Sequence, residues 1–326
     1  MVNPASKSPL RVAHISDVHV LELAGTPLRK YLGKRATGVA NLIGPRRGAH
    51  PPRVAKALVE AVDAQQVDHV LVTGDLTNLS LESEMAAART FIESLGGPER
   101  VTVIPGNHDV YTTGALRDGR FERFFGAYMS DPNDPDGATR AQGAGRDHYP
   151  FARSIAPHVR VYGLSSAVPM PPLMASGKVG DEQVARLRAL VADEPPEVRV
   201  RVVLVHHNLH RKAGLADRSS RLLDRQLLIG TLRDIDATMV LHGHTHTPSQ
   251  FHVAGRADGS QIAVIGSGSS TWHMPSKNKF GHFNVIDIGP SAIDAIASHR
   301  WEPSQERFVA EHDDLLTRAR RNALPQ

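Results

Sequence analysis

The stretch Arg11–His19, RVAHISDVH, begins with β-branched and apolar residues and closes on Asp17 and His19. It reads as a largely buried strand over Arg11–Ser16 that delivers a carboxylate and an imidazole at its C-terminal end. The same pattern recurs along the chain. HVLVT at 69–73 runs into Gly74-Asp75, and VTVI at 101–104 is followed by Gly106-Asn107-His108-Asp109. RVRVVLV at 199–205 runs into His206-His207, and the strand at Met239–Leu241 leads to Gly243-His244-Thr245-His246. In open α/β sheets, ligands bind outside the carboxyl ends of the strands. Strand ends that all carry Asp, Asn or His therefore predict one site on that edge.

Helix-length segments separate these strands. Arg53–Ala64 repeats its apolar positions at three- and four-residue spacing after the start signal Pro51-Pro52. Leu81–Leu95, Asp181–Asp193 and Arg221–Ile235 are similar. A further strand, Val159–Leu164, falls between two of them. Such alternation implies an α/β fold with helices outside a sheet. The final third differs: Gln250–Val253, Gln261–Ile265, His282–Ile288 and Ile293–Arg300 are β-like with no helix between them. They are expected to be antiparallel strands completing a second sheet. No repeat or long Gly/Ser linker divides the chain. One domain is expected over 11–305, with a flexible N-terminus at 1–10 and a tail at 306–326 able to form a short helix. Ser130–Arg146, rich in Asp, Pro and Gly, reads as a mobile surface loop.

Composition narrows the chemistry. Hydrophobic residues make up 40% of the 326 positions, a globular proportion. The absence of cysteine excludes disulfides, zinc–thiolate sites, iron–sulfur clusters and thiol catalysis. Any metal must be held by His, Asp, Glu or Asn, which suits manganese, iron, zinc or magnesium. A net charge of +4 is too small to argue for nucleic acid, and no specific nucleic acid is expected. The N-terminal residues lack the apolar region of a secretory signal, and no window resembles a membrane span. The expectation is a soluble, cytoplasmic protein.

Asp17 and His19 are one residue apart, as are His244 and His246. In an extended backbone each pair would point to one side. Gly74, Gly106 and Gly243 permit tight turns where backbone approaches a bound ion or anion. Asp17, Asp75 and Asn107, with His19, His206, His244 and His246, exceed what one ion needs. They suffice for two if one carboxylate bridges. Ion pairs about 3.5–4 Å apart are typical of phosphatases and nucleases.

The series DVH, GD, GNHD, HH, GHTH over Asp17–His246 resembles the calcineurin-like metallophosphoesterase family, whose pattern is D-x-H, G-D, G-N-H-[DE], H and G-H-x-H. Length and the two final histidines are most similar to the class III cyclic-nucleotide phosphodiesterases and related glycerophosphodiesterases. The resemblance implies an α/β four-layer sandwich, two packed mixed β-sheets flanked by helices. It implies two divalent cations (Mn2+, Fe2+/Fe3+ or Zn2+). Asp17, His19 and His246 resemble ligands of the first, Asp75 the bridge, and Asn107, His206 and His244 ligands of the second. Whether His206 or its neighbour His207 is the ligand stays open. His108 resembles the histidine that protonates the leaving oxygen, and Asp109 is expected to orient its ring. Two cations lower the pKa of a shared water from about 15.7 toward neutrality, and the hydroxide attacks phosphorus. The implied substrate is a small phosphodiester of cyclic-nucleotide or glycerophosphodiester type. The alternative is cleavage of a lipid headgroup at a membrane surface, as in the family's UDP-diacylglucosamine hydrolases. A non-catalytic scaffold resembling the retromer subunit is disfavoured because every ligand position is filled.

Residues 21–53 form an insertion holding Arg29, Lys30, Lys34, Arg35, Arg46, Arg47 and Arg53 against the single acid Glu22. Leucines and other apolar residues are interleaved. The segment reads as a cap with solvated charges, one that attracts an anionic substrate, or one that makes weak peripheral contact with anionic lipid. His207 and His242 flank candidate ligands and read as orienting or packed histidines. His210 reads as a substrate contact or a solvated loop residue, and His14 as a core histidine. Asn208 and Leu209 stand where relatives often carry proline, so the substrate-facing loop departs from the family pattern. Gly266–Ser270 reads as a plain turn or a phosphate contact. A homodimer is compatible with the chain.

Overall fold

The computed structural model describes residues 9–44, 48–132, 145–210 and 219–311. In chain order its first strands are β1 (Leu10–Ile15), β2 (His69–Val72), β3 (Val101–Val103), β4 (Phe151–Ala156), β5 (Val159–Gly163), β6 (Val200–Leu204) and β7 (Met239–His242). There follow β8 (Ser249–Ala254), β9 (Gln261–Gly266), β10 (His273–Met274), β11 (Lys279–Phe280), β12 (His282–Ile288), β13 (Ile293–Glu302) and β14 (Arg307–Ala310).

The strands form two mixed six-stranded sheets, ordered β14-β13-β12-β1-β2-β3 and β4-β5-β6-β7-β9-β8, with β10 and β11 as a separate ribbon. β1, β2 and β3 are parallel, as are β5, β6, β7 and β9. Period-2 alternation in β6 explains how the layers stack. Val200, Val202 and Leu204 enter a core shared with Val12, Ile15 and Val72 of the first sheet. Val203, between them, faces a second core with Val184 and Leu187 of helix Asp181–Ala192 and Leu228 and Leu232 of helix Arg225–Asp234. Helices also cover the first sheet. Pro52–Ala64 starts on a proline at its first turn and buries Val54, Leu58 and Val62 at four-residue spacing. Glu82–Leu95 buries Met85, Ala88, Ile92 and Leu95. The expected α/β arrangement of two mixed sheets flanked by helices is thus the observed one.

The C-terminal strands depart from expectation. β8 and β9 join the second sheet, but β12 pairs antiparallel with β1, Ala13 opposite Val285, and carries β13 and β14 into the first. Apolar alternation marks a strand without naming its neighbour, and either sheet offers an edge. β14 falls within the segment that reads as a tail, and the edge strand β4 has no counterpart among the strands expected from the sequence. The helix expected further along the tail lies outside the described residues. So do most of the N-terminal segment and positions 133–144 of the Ser130–Arg146 loop. The insertion contains a 3-10 turn, Leu28–Tyr31, and a helix, Lys34–Ile43. Among the described residues no helix is long and apolar enough to cross a membrane.

Candidate metal centre

The parallel pairing of β1 and β2 continues past the strand ends. Thr73 N–H donates to the Ile15 carbonyl at 3.0 Å, Asp17 N–H to Gly74 at 2.9 Å, and His19 N–H to Asp75 at 3.0 Å. The two loops therefore run side by side. Their backbone is not extended, as the one-residue spacing had suggested. Asp17 and His19 both have φ 52°, Asp75 has 53°, His244 66° and His246 54°. For residues with a Cβ this left-handed conformation costs roughly 1–2 kcal/mol each, so the surroundings must hold it. Ser269 donates its hydroxyl to the Asp17 carbonyl at 2.8 Å, and Thr271 to Val18 at 2.7 Å. Asn78 donates its amide to His19 and Val20 carbonyls, both at 3.0 Å. The Gly266–Ser270 stretch is thus a turn whose buried Ser269 ties down the Asp17 loop. Gly243 is needed because a Cβ there would collide with Ser16 and the Asp17 carboxylate.

Seven of the residues singled out in the sequence converge. Asp17, His19, Asp75 and His246 form one group, and Asp75, His206 and His244 another, with donor atoms in each group within 4.8 Å of one another. Asp75 belongs to both: its Oδ2 lies 3.9 Å from His19 Nε2 and 3.3 Å from His206 Nε2. Asn107 Oδ1 joins the second group, 3.2 Å from His206 Nε2 and 2.9 Å from His244 Nδ1. Each carboxylate commits one oxygen to backbone: His244 N–H donates to Asp17 Oδ2 at 2.9 Å, and His108 N–H to Asp75 Oδ1 at 2.8 Å. The other oxygen of each points into the cluster.

Hydrogen bonds to carbonyls, which only accept, fix the tautomers. His19 Nδ1–H donates to Thr77 O at 3.1 Å, and His206 Nδ1–H to Thr73 O at 2.7 Å, so in each ring Nε2 faces inward. His244 Nε2–H donates to Ser220 O at 2.9 Å, leaving Nδ1 inward. Metal-binding histidines commonly hand their second ring N–H to a carbonyl in this way. Asp17 Oδ1 is buried without a hydrogen-bond partner, 3.2 Å from His246 Nε2. Lone pairs facing lone pairs in a buried cluster require a cation or protons between them, so the donor set fits divalent ions. Burial pushes the Asp75 carboxyl up, but His206, His108 and His19 hold it well below the usual range. Burial lowers His206, yet Asp75 and Asp17 push it up to about 9.

His108 stands beside the cluster. Its Nδ1–H donates to Asn78 O at 2.7 Å, and it borders an open cleft of ≈ 540 Å³ together with Asn107, Lys34, Tyr111 and Leu173. Asp109 departs from the orienting role expected of it. Its carboxylate is buried and accepts the N–H groups of Leu76, Thr77 and Gly106 and the Thr77 hydroxyl, at 2.8–3.2 Å. It ties the loop after β2 to the loop after β3. Burial and the charge of Asp75 raise its pKa to about 7 against those bonds.

Residues 10–248, well over half the chain, match the model of the calcineurin-like phosphoesterases. The chain belongs to that family. Among solved structures it is similar to purple acid phosphatase PPD1 from yellow lupin (Lupinus luteus), with TM-score 0.56 and 14% identity over 99% of this chain. It spans 57% of that enzyme's length. It is also similar to PhoD, with TM-score 0.52 and 11% identity over 95% of this chain and 72% of the other. At such identities the likeness is one of fold. No curated protein matches the sequence.

This calcineurin-like phosphoesterase carries three further residues beside the centre that the sequence did not single out, His50, Trp272 and Tyr111. The His50 ring lies 4.8 Å from His19, and its Nδ1 is 2.8 Å from Thr271 Oγ1. Trp272 stacks on His50, with centroids 6.4 Å apart, and meets His246 edge-on at 4.7 Å. Tyr111 stacks on His108 at 5.6 Å, and Lys34 donates to the Tyr111 carbonyl at 2.9 Å. Burial lowers Lys34 to about 8. A lone histidine before Pro51-Pro52 carries no sequence signal. It reaches the site because His273 N–H donates to the Ala49 carbonyl at 2.8 Å, which fixes the insertion's return path. Both nitrogens of His207 face protein atoms: Nδ1 lies 2.7 Å from Ser166 Oγ, and Nε2 2.9 Å from Ala175 O. His242 is buried and lowered to about 3 by burial, its Nδ1 3.1 Å from Gly243 O. His14 is a core histidine bonded to Thr73 Oγ1 at 3.0 Å. His210 packs 5.3 Å from Phe251.

Proposed function

We propose that this chain is a dinuclear metal-dependent phosphodiesterase of cyclic-nucleotide or glycerophosphodiester type. The observation that carries the reading is Asp75, whose Oδ2 is common to both donor groups. In this reading Asp17, His19 and His246 hold one cation, Asn107, His206 and His244 the other, and Asp75 is shared. Two divalent ions would polarise the phosphoryl oxygens and acidify a water between them. The residues do the rest. The carbonyls of Thr73, Thr77 and Ser220 keep the imidazoles in the ligating tautomer. His108, held at Nδ1 by Asn78 O, gives the proton on Nε2 to the leaving oxygen as a general acid. Asn107 and His108 open onto the cleft, where the esterified groups would lie.

The cleft supports a diester over a monoester. Its named walls include Leu42, Leu79, Leu173, Met174 and Tyr111, with Lys34 the one amine among them. A singly charged diester with a neutral second arm suits that lining better than a dianionic monoester. The alternative is a lipid-headgroup phosphoester or pyrophosphate, such as UDP-diacylglucosamine, whose apolar arm also suits that lining. Hydrolysis of bis(p-nitrophenyl) phosphate and of p-nitrophenyl phosphate with Mn2+ tests the reading. Metal-dependent turnover with kcat/KM at least about tenfold higher for the diester is expected, a difference of about 1.4 kcal/mol. Faster monoester turnover would overturn the diester assignment.

A further inference from the structure

We propose that the mouth of the cleft is a docking surface for an anionic lipid bilayer, with the candidate metal centre facing the membrane. Two lips border the cleft. One is the insertion, whose helix Lys34–Ile43 lines it and whose preceding 3-10 turn buries none of its residues. Leu28 is 86% exposed and Leu32 73%, with Arg29 and Lys30 exposed between them. The other lip carries Leu173, 90% exposed, and Met174, just after Pro171-Pro172. It is laced to the chain beyond by Ala175 N–H on Ser219 O at 2.7 Å and Leu223 N–H on Gly177 O at 2.8 Å.

Among the described residues, the exposed large hydrophobic side chains are Leu21, Leu28, Leu32, Leu173, Met174 and Leu223. Leu173 and Met174 line the cleft, Leu28 begins and Leu32 caps the turn just before the helix that lines it, Leu21 opens the insertion, and Leu223 belongs to the stretch of chain laced to Gly177. Scattered single leucines on a surface need no explanation, but their concentration in the insertion and in the segments around Leu173 does. Charge completes the pattern. Residues 21–53 set Arg29, Lys30, Lys34, Arg35 and Arg53 against the single acid Glu22, and residues 165–180 carry Lys178 and no Asp or Glu. Leucines flanked mainly by cations suit the boundary between headgroups and acyl chains of an anionic bilayer. Leu173 and Met174 line the open cleft, as does the helix Lys34–Ile43 that follows Leu28 and Leu32. A fluid acyl layer can cover two separated lips, whereas a folded partner would need one continuous apolar face.

The test is co-sedimentation of the full chain with phosphatidylcholine vesicles, with and without phosphatidylglycerol. Binding to the anionic vesicles is expected. In the double variant Leu28→Ser/Leu32→Ser it should weaken at least about tenfold, because each buried leucine is worth more than that factor. That variant should keep its melting temperature and its hydrolysis of soluble bis(p-nitrophenyl) phosphate, which separates loss of docking from loss of catalysis. Leu173→Ser should weaken vesicle binding in the same direction. Absence of binding, or binding that salt abolishes while the leucine variants match the parent, would overturn the proposal. So would a dimer in vesicle-free solution that Leu28→Ser/Leu32→Ser dissociates, since the patch would then belong to a second copy.

Discussion

Nε2 of His206 lies 3.3 Å from Oδ2 of Asp75, whereas both ring nitrogens of its neighbour His207 face Ser166 and Ala175. The His207 ring packs 4.3 Å from His244, but of the adjacent pair only His206 turns a ring nitrogen to the donor cluster. His206→Ala is therefore expected to lower Mn2+-dependent kcat/KM by about 10³-fold or more, since a lost ligand removes several kcal/mol of charge stabilisation. His207→Ala, which disturbs only a supporting contact, should cost about 10–100-fold. Parallel assays of the two variants check the assignment, and equal losses would contradict it.

His108 is expected to matter in proportion to the basicity of the leaving group. Removing a general acid typically costs about 10²–10⁴-fold. His108→Ala should approach that loss with an alkyl leaving group such as that of a glycerophosphodiester. It should lose far less with p-nitrophenolate, which departs without a proton. Equal losses on both substrates would mean that His108 acts through position alone.

Asp109 accepts four hydrogen bonds from two site loops. Asp109→Asn turns one acceptor oxygen into a donor amide that faces other donors. Unfolding by urea should show a loss of about 2–4 kcal/mol, within the range for buried charged hydrogen bonds and unpaired groups. A variant as stable as the parent but with an altered pH–rate profile would instead support a catalytic role.

Much of this site was legible in the chain because chemistry and punctuation coincide at strand ends. Asp17, Asp75, Asn107, His206 and His244 each follow a short apolar run, and parallel strands bring such ends to one edge. Backbone conformation was not legible. Asp17 and His19 look like an extended pair, but their left-handed φ depends on Ser269, Thr271 and Asn78, which are distant in sequence. The partner of β12 was hidden for a related reason, since alternation records which face is buried and not which edge is free. His50 reaches the centre only through the path of the insertion. Asp109 has the spacing of an orienting carboxylate, and only packing reveals that backbone amides fill it.

A buried histidine supplies a pH test of the fold. His69 is buried, bonded to Thr102 Oγ1 at 2.8 Å, and lowered to about 3 by burial and by Arg153 and Arg100. In the unfolded chain it titrates near 6.5. Its contribution is thus fully present above pH 6.5 and is lost as pH falls toward 3. Between pH 6.5 and pH 5 the native state should lose about 2 kcal/mol through this residue. His69→Gln keeps a hydrogen-bonding side chain without the titration. Relative to the parent, that variant should gain about 2 kcal/mol over the same interval in urea unfolding. Parallel pH dependences would show that His69 is already charged in the fold.

Counting bound cations tests the shared-carboxylate centre most directly. Calorimetric titration of the metal-stripped chain with Mn2+, backed by elemental analysis, should give two ions per chain. Asp75→Ala should retain at most one, bound more weakly. A parent chain that takes up none, or an Asp75→Ala chain that still binds two with undiminished affinity, would contradict a pair of ions joined through Asp75.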